Sequence, residues 1–406
     1  MKFKKLARTE VFRDPVYGYV YVDYQIIVDL INTKEMQRMK RIHQLGGTLQ
    51  VFSTAEHSRF THSLGTYEIA RRILESSQEV RSSLSEEEVI ITLCAALLDD
   101  IGHGQLSHAF EMIHRIKLED YCCLIITGDT EVNRVLKMAD KNLPAKIAQV
   151  INHTYPNPIP VQLISSQLDV DRLDFLLRDA YFTGTPYGHI DLDRLLRGIT
   201  AIEGRLVFKE NNVSNIENII LGRYHMYTQV YFHPEAYCYE VLVMSTLKRY
   251  FDLLKSGYQF KHPYTYLEPL ASGEVLDLKT YITFDDGVIG YYMHTFSEED
   301  DPILADLSER VLNRHNLKYK YIKTEKEVAA IKQSVIQKGY DPAYYFHYGE
   351  LSQQVYKKYG RNDVNAILIK KKESGELVEL NKISPIVKVI AAKDVTNANS
   401  KIVVYI

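Results

Sequence analysis

The feature that most constrains this chain is a pair of adjacent carboxylates, Asp99 and Asp100, at the end of an apolar helical segment. A capping box at Ser85 predicts the start of that helix, and the apolar residues of its last turns indicate burial. A helix C-terminus carries partial negative charge, so two carboxylates there repel the dipole and each other. If buried, they need a cation. His103 and His108 follow, although a solvent-exposed helix end with incidental histidines would have the same sequence.

A second candidate segment runs from His57 to Gly65 and combines histidines with an arginine. On a helix, Arg59 and His62 lie three residues apart and share a face. A neutral imidazole can bind a metal ion while a neighbouring guanidinium receives a phosphate. Alone this signal is weak, because a histidine on an amphipathic helix is more often an ordinary hydrogen-bonded residue.

A third segment places Asp171, Phe175 and Asp179 at i, i+4 and i+8, along one face of a predicted helix. Interpreted as a site, this stripe supplies a metal ligand, a packing surface and a hydrogen-bond acceptor for a sugar hydroxyl. The neighbouring Asp169 and Asp174 are interpreted as plain solvated charges. An amphipathic helix with a charged outer face explains the stripe equally well when it is taken alone.

Composition excludes several classes of protein. The chain has 406 residues, 46% of them apolar and 25% charged, as in an ordinary globular protein. A net charge of −3 gives no overall field for nucleic acid or an acidic membrane, so any anion site must be a local cluster of Arg and Lys. No apolar run approaches the ~20 residues that span a bilayer. The four cysteines form no metal motif and are expected to be reduced, which predicts a cytoplasmic protein.

The predicted fold class is mainly α, with a helical core, a short N-terminal β-hairpin and a small C-terminal α+β unit. The hairpin is expected within residues 10–23, and helical spacing dominates from Tyr24 to about Leu317. The predicted domains are an N-terminal segment with the hairpin (1–28), a helical body (29–320) and the C-terminal unit (321–406).

Within this fold the sequence predicts individual elements. A helix capped by Thr54 or Ser53 is expected to carry Phe60, Leu64, Ile69 and Ile73. Longer helices are expected over 161–180 and 215–250. The C-terminal unit is expected to contain four strands, at 363–370, 377–380, 386–391 and 402–406.

Together the three segments carry a resemblance to a known superfamily. His62, Asp100 and Asp171 follow the order of a histidine, an acidic doublet and a distant aspartate, and the chain resembles the HD-domain phosphohydrolases, which bind metal in this way. From about residue 10 to 250 it is similar to their deoxynucleoside-triphosphate triphosphohydrolase branch. The motifs that carry this similarity are Asp14–Gly18, His43–Gly47, His57–Gly65, Gly102–His108, Asp169–Asp179, Arg223–His225 and Tyr231–Pro234.

The resemblance implies a pocket for a deoxynucleoside triphosphate. Arginines would hold the phosphates, and an amide and a carboxylate would contact the 3′-hydroxyl of the sugar. A phenylalanine stands where relatives often carry a tyrosine that packs on the sugar, and one further tyrosine would line the pocket. In that order, the implied substrate-binding residues are Arg59, Arg172 and Arg223, then Gln44 and Asp179, then Phe175, and Tyr231.

The resemblance also implies the residues that carry the chemistry. His108 would lie beside the attacking water or the scissile phosphate, and His103 would lie close by. The metal ligands would be His62, Asp99, Asp100 and Asp171.

Two positions depart from the family pattern. Position 99 should be the histidine of the doublet and is Asp, and position 118, where relatives have a histidine that assists proton transfer, is Leu. The first change leaves one nitrogen and three oxygen ligands, which favours Mg²⁺ or Mn²⁺, with Fe, Ni or Zn as alternatives. The second removes a general acid, a role worth roughly 10²–10⁴ in rate.

Several functions stay open on this sequence. The first is a metal-dependent hydrolase that cleaves a deoxynucleoside triphosphate into deoxynucleoside and triphosphate, with activity weakened by Asp99 and Leu118. The second is an inactive nucleotide-binding regulatory protein on the same scaffold. A structural protein, and a phosphodiesterase or pyrophosphatase, are further alternatives. The implied partners are a nucleotide and further copies of this chain, as a dimer or tetramer, with no membrane and no general nucleic-acid binding.

Overall fold

A computed structural model describes residues 3–104, 118–272, 276–351, 356–357, 363, 365–391 and 401–406. Over these residues the fold is mainly helical with three small sheets, which confirms the predicted fold class. The N-terminal hairpin is present as the antiparallel strands β1 (Lys5–Asp14) and β2 (Gly18–Tyr24). Gly18 closes the turn with a φ of +76°, a conformation that glycine adopts without strain. None of the helices in these ranges is long and apolar enough to cross a membrane.

The helices of the body are numbered in chain order over the described residues. Up to the second sheet they are α1 (Gln25–Ile31), α2 (Lys34–Arg38), α3 (Arg59–Ser76), α4 (Gln78–Ser82), α5 (Glu86–Leu98), α6 (Leu118–Thr127), α7 (Glu131–Ala139), α8 (Leu143–Ile151), α9 (Pro158–Ile164), α10 (Val170–Thr183) and α11 (Leu192–Arg197). After it come α12 (Val213–Met226), α13 (Pro234–Lys255), α14 (Leu278–Tyr281), α15 (Asp286–Ser297), α16 (Pro302–Asn313), α17 (Glu325–Gln337), α18 (Pro342–Tyr345) and α19 (Pro385–Ala391).

Helices α3, α5 and α10 form the centre of the body and carry the three candidate segments. The capping box at Ser85 is confirmed: its side chain accepts the backbone N–H of Glu88, whose carboxylate accepts the N–H of Ser85. All residues of α5 from Val89 to Leu98 are buried, and Asp99 and Asp100 follow at half-buried positions. The start predicted for α3 was wrong, because the helix begins after Ser58.

Two helices predicted as single elements are interrupted. The segment 161–180 is divided between α9 and α10, because Asp169 caps a new helix by accepting the backbone N–H of Arg172. The segment 215–250 is divided between α12 and α13 by a π-helical turn at Tyr227–Tyr231, followed by Pro234 at the start of α13. Both interruptions lie at residues of the candidate site.

The strands form two further sheets. Strands β3 (Ile199–Ile202) and β4 (Arg205–Lys209) are a hairpin within the body that the sequence pattern did not indicate. The other strands are β5 (Lys318–Tyr321), β6 (Phe346–Glu350), β7 (Leu368–Lys370), β8 (Leu377–Glu379) and β9 (Lys401–Tyr405). The sheet orders are β3–β4–β7–β8 and β5–β9–β6, with β4 and β7 parallel and the other pairs antiparallel.

Three of the four strands predicted near the C-terminus are therefore present at least in part. The strand predicted at 386–391 was wrong, because this segment is the helix α19, which begins at Pro385. The hydroxyl of Ser384 accepts a hydrogen bond from the backbone N–H of Val387, in the first turn of that helix. The parallel pairing of β4 with β7 joins the C-terminal part of the chain to the helical body. The boundary proposed at residue 320 stays a prediction.

Candidate functional site

One histidine and two aspartates converge where α3, α5 and α10 meet. His62 lies on α3, Asp100 follows the end of α5, and Asp171 lies in the first turn of α10. One ligand atom from each lies within 4.8 Å of the others. The Nε2 atom of His62 is 3.0 Å from Oδ1 of Asp171 and 3.5 Å from Oδ2 of Asp100. Three of the four predicted metal ligands are thus brought together.

The electrostatics of this cluster favour a cation. Burial opposes a charged imidazole, but hydrogen bonds to Asp171 and Asp174 outweigh it and raise the pKa of His62 well above its usual value. Burial also opposes a charged carboxylate at Asp100, yet His103 and Arg59 hold its pKa well below the usual range. The carboxylates therefore stabilise the protonated imidazole of His62. One nitrogen and two carboxylate oxygens also form a donor set suited to a divalent metal ion.

Asp174 lies behind the cluster and is fully buried, so its interpretation as a solvated charge was wrong. Its Oδ2 atom is 2.8 Å from Nδ1 of His62, and Arg178 donates to both of its oxygens, at 2.8 and 3.0 Å. Burial alone would raise the pKa of Asp174, but Arg178 and His62 lower it to about 2. A carboxylate behind a ligating histidine orients the ring and raises its basicity.

Asp169 is also buried, which again contradicts a solvated charge. It caps α10 and forms an ion pair with the guanidinium of Arg172. Burial raises the pKa of the Asp169 carboxyl despite the opposing charge of Arg172.

The three predicted phosphate-binding arginines lie around the cluster. Arg59 donates from Nη1 to Oδ2 of Asp100 at 2.6 Å. Arg223 is buried and donates to the carbonyl of Gln167 at 3.0 Å, while its Nε has no partner among the described residues. Burial lowers the pKa of Arg223, and the charge of Arg172 lowers it further, so these two cations are electrostatic neighbours. Such a concentration of buried positive charge is suited to an anion.

The predicted sugar-binding residues form an adjoining group. Asp179 is buried and accepts the hydroxyl of Tyr231 at 2.7 Å, and its other oxygen lies 2.7 Å from Nε2 of His57. Phe175 packs edge-to-face on Tyr231, with ring centroids 6.1 Å apart. Gln44 is tied to this group through its backbone N–H, which donates to the carbonyl of His57 at 2.9 Å.

Comparison with known proteins identifies the family to which this chain belongs. Residues 59–174, which contain the whole cluster, match the HD domain, and residues 190–260 match the HD associated region. The chain is 41% identical to the uncharacterized protein YwfO of Bacillus subtilis, over 96% of this chain and 91% of that one. The chain belongs to the HD-domain phosphohydrolase family.

Two further relatives of this HD-domain protein are informative. A phosphohydrolase of Bacteroides thetaiotaomicron has the same fold, with a TM-score of 0.85 and 25% identity over 98% of this chain and all of that one. The deoxynucleoside triphosphate triphosphohydrolase SAMHD1 homolog of Dictyostelium discoideum is 26% identical over 63% of this chain. The matched region covers 52% of that longer protein.

Asp99, which the family resemblance places at the position of the HD histidine, lies outside the group of three close ligand atoms. Burial, followed by the charges of Asp100 and Asp171, raises the pKa of Asp99 well above its usual value. Its backbone carbonyl accepts the thiol of Cys122 at 2.8 Å. The carboxyl of Asp99 therefore holds its proton more tightly than a free aspartic acid does.

The predicted catalytic histidines are only partly described. His103 lies beside the cluster, with Nε2 3.2 Å from Oδ1 of Asp100, and its carbonyl accepts a hydrogen bond from the buried Arg38 at 2.9 Å. His108 lies outside the described residues. Leu118 begins α6, and its side chain also lies outside the described part of the structure.

The sequence did not predict the residues that surround Asp174 behind this HD site. Tyr17 donates its hydroxyl to Asp174, and Arg178 joins Asp174 to Asp14. The signal that could have found Arg178 is its i+4 spacing from Asp174 on one helix face. His57 belongs to the second candidate segment, but the residue spacing did not predict its contact with Asp179.

One sizeable cavity in the described part of the structure lies away from the cluster. It measures about 620 Å³ and lies between the hairpin, α3 and α5, and none of the candidate site residues lines it. The cluster is identified by its chemistry and geometry rather than by its volume.

Proposed function

We propose that this HD-domain protein hydrolyses deoxynucleoside triphosphates to deoxynucleoside and triphosphate. Water adds to the α-phosphorus, the bond from that phosphorus to the 5′-oxygen breaks, and the released oxygen takes up a proton. The observation that carries the proposal is the cluster of His62, Asp100 and Asp171 beside three buried or half-buried arginines. The name of the Dictyostelium discoideum relative supports the choice of substrate.

His62, Asp100 and Asp171 are the residues that would hold a divalent metal ion, with Asp99 as a fourth candidate. When bound, such an ion polarises a phosphoryl oxygen and lowers the pKa of a bound water. Because oxygen donors outnumber nitrogen, we propose Mg²⁺ or Mn²⁺ ahead of Fe, Ni or Zn.

The remaining residues bind and orient the nucleotide in this proposal. Arg59, Arg172 and Arg223 hold the phosphates and stabilise the negative charge that develops on them. The nucleotide competes for these guanidinium groups with protein acceptors, since Arg59 contacts Asp100 and Arg172 contacts Asp169.

The sugar occupies the adjoining group around Asp179 and Tyr231. Each carboxylate oxygen has two acceptor positions, so Asp179 can accept the 3′-hydroxyl while it keeps its bonds to Tyr231 and His57. Gln44 and Phe175 complete this side of the pocket. A sugar without a 3′-hydroxyl would leave a buried acceptor without its partner, which disfavours it.

Proton transfer falls to His103 and His108. His103 has a ring nitrogen 3.2 Å from Asp100, which keeps it beside the reacting phosphate and able to exchange a proton with water. By the same family resemblance we propose a homo-oligomeric assembly, a dimer or tetramer. A cytoplasmic location is proposed from the composition alone.

A second candidate, an inactive nucleotide-binding regulator, is favoured by one observation. Position 99 carries a carboxyl with a strongly raised pKa in place of a basic imidazole, and Leu118 stands where a proton-transferring histidine is expected. Nucleotide binding needs neither of these two histidines, whereas the loss of both would slow turnover.

The test is to incubate the protein with each dNTP and Mn²⁺ or Mg²⁺, with dGTP present as an activator, and to measure inorganic triphosphate. Asp171→Ala is the control that removes a ligand of the cluster. Triphosphate release that the variant abolishes supports the hydrolase. Nucleotide-dependent thermal stabilisation without triphosphate supports the regulator and contradicts the hydrolase.

A further inference from the structure

The tip of the N-terminal hairpin is connected to the candidate metal cluster by side-chain contacts from the half-buried Tyr17 to the buried Asp174 and His62. Tyr17, in the turn between β1 and β2, donates its hydroxyl to Oδ1 of Asp174 at 2.6 Å. Asp174 in turn contacts Nδ1 of His62 at 2.8 Å. Two contacts therefore separate the hairpin from the imidazole that faces Asp100 and Asp171.

The acceptor capacity of Asp174 is completely used. A carboxylate has about four acceptor positions. Oδ1 receives the hydroxyl of Tyr17 and Nη2 of Arg178, and Oδ2 receives Nε of Arg178 and faces Nδ1 of His62. Because the carboxylate can only accept, the ring nitrogen that faces it must carry the proton. The other nitrogen, Nε2, faces Asp171 and Asp100, so it is the one that would release its proton and present its lone pair when a metal ion binds.

The hairpin tip is itself fixed by the same network. Asp14 accepts the backbone N–H groups of Val16 and Tyr17 through Oδ1, at 2.8 and 3.0 Å, and accepts Nη1 of Arg178 through Oδ2 at 2.8 Å. Arg72 donates to the carbonyl of Tyr17 at 3.2 Å. Arg178 is fully buried and Asp14 is nearly so, hence water cannot substitute for these partners.

Space for this arrangement depends on α3. A Cβ atom placed on Gly65 would lie 1.7 Å from Oδ1 of Asp174 and 2.5 Å from Nη2 of Arg178. The absence of a side chain at this position lets the carboxylate approach the helix that carries His62. The close packing of Asp174 and Arg178 against α3 therefore requires glycine at position 65.

From this geometry we infer that Tyr17 and Asp14 of the hairpin are positioning residues for the metal site, acting through Asp174 to fix the orientation and protonated nitrogen of His62. The inference rests on the metal-binding part of the proposed function and not on the identity of the nucleotide. The competing view is that the network only fastens the hairpin to the body. The two views differ in what happens at His62 when one hairpin hydroxyl is removed.

The test uses the full-length protein with Tyr17→Phe and Asp174→Asn, and with Tyr19→Phe as the matched control. Tyr19 lies in the same hairpin, is 42% exposed and packs against Tyr21 and Arg13. Two readouts are measured: Mn²⁺ affinity by electron paramagnetic resonance of free Mn²⁺, and the Nδ1–H signal of His62 in metal-free protein labelled with ¹⁵N-histidine. A His62→Gln variant assigns that signal.

Asp174→Asn is expected to weaken Mn²⁺ binding toward the upper end of the roughly 10–100-fold range for such supporting residues, and Tyr17→Phe toward the lower end. In Asp174→Asn the amide can present N–H to Nδ1, which removes the Nδ1–H signal. In Tyr17→Phe the signal moves upfield and exchanges faster with water. Tyr19→Phe leaves affinity and signal as in the wild-type protein.

A Tyr17→Phe protein with a lower melting temperature but the wild-type Mn²⁺ affinity and the wild-type Nδ1–H signal overturns the inference. Because the signal is read without metal and without nucleotide, this outcome does not depend on hydrolysis. If no dNTP is cleaved while Mn²⁺ affinity and the signal follow the expected order, the proposed reaction fails and the inference stands.

Discussion

Tyr231 and Asp179 are joined by a 2.7 Å hydrogen bond across the pocket wall, although one lies in the π-helical turn and the other on α10. Burial, reinforced by the charge of Asp179, raises the pKa of Tyr231 well above its usual value. The hydroxyl therefore remains a donor throughout the neutral range. This bond fixes the carboxylate that is proposed to receive the sugar.

Tyr231→Phe is expected to lower kcat/KM for a dNTP by roughly 10-fold, equivalent to about 1.4 kcal/mol, because it removes one charge-assisted hydrogen bond. The loss should be much smaller for a nucleotide that lacks the 3′-hydroxyl. Steady-state kinetics with matched deoxy and dideoxy substrates measure the difference. An equal loss on both substrates would show that Tyr231 does not act through Asp179 on the sugar.

Gly65→Ala is expected to destabilise the protein by about 1–3 kcal/mol, because a Cβ atom there would overlap Asp174 and Arg178. Urea unfolding measures the change in free energy. Gly290→Ala is the matched control: it also lies within a helix, α15, and its added Cβ would meet nothing within 4 Å. That variant should be more stable than the wild type by up to about 1 kcal/mol. Equal effects of the two substitutions would contradict the crowding at Gly65.

Asp99→His is expected to shift metal preference, because it exchanges an oxygen donor for an imidazole at the position of the HD histidine. Imidazole suits Zn, Ni and Fe, whereas carboxylate suits Mg and Mn. The ratio of Zn²⁺ to Mn²⁺ affinity should rise by roughly 10-fold or more, as measured by competitive titration. An unchanged ratio would mean that position 99 does not contact the bound ion.

Stability in acid is expected to depend on Asp301, which caps α16 and pairs with Arg249 at 2.5 and 3.0 Å. Burial raises the pKa of this carboxyl, but Arg249 outweighs it and the net shift is downward. The stabilisation from ionised Asp301 is thus complete above the unfolded-state pKa of about 4 and is lost as the pH falls through the lower folded-state pKa.

Asp301→Asn tests this, because asparagine caps a helix about as well as aspartate but carries no charge. Between about pH 5 and pH 3 the free energy of unfolding of the variant should fall less steeply than that of the wild type. Denaturant unfolding at each pH measures both slopes. Parallel curves would rule out the Asp301–Arg249 pair as a source of acid sensitivity.

The features that the sequence predicted correctly were mostly those set by residues close together in the chain. The capping box at Ser85 and the turn at Gly18 depend on residues within a few positions, and both are present as predicted. The convergence of His62, Asp100 and Asp171 was also predicted, though through family resemblance rather than spacing.

The other features depend on contacts that spacing does not encode. Asp174 has the sequence context of a solvated helix charge, and only the arrival of Tyr17 from the hairpin and of His62 from α3 makes it a buried acceptor. Asp169 ended a predicted helix because its side chain caps a new one. The segment 386–391 has a β-like composition, yet Pro385 and Ser384 favour a helix start over a strand.

The parallel pairing of β4 with β7 has a consequence for how the chain is made. Val207 of β4 pairs beside Leu368 of β7, so the edge of the β3–β4 hairpin acquires its neighbour only after about 160 further residues have been synthesised. Until then the nascent body carries an open strand edge, which is a template for pairing with other chains. A chain whose translation stops before Leu368 would contain all the candidate metal ligands but would lack the strands β7 and β8 of this sheet.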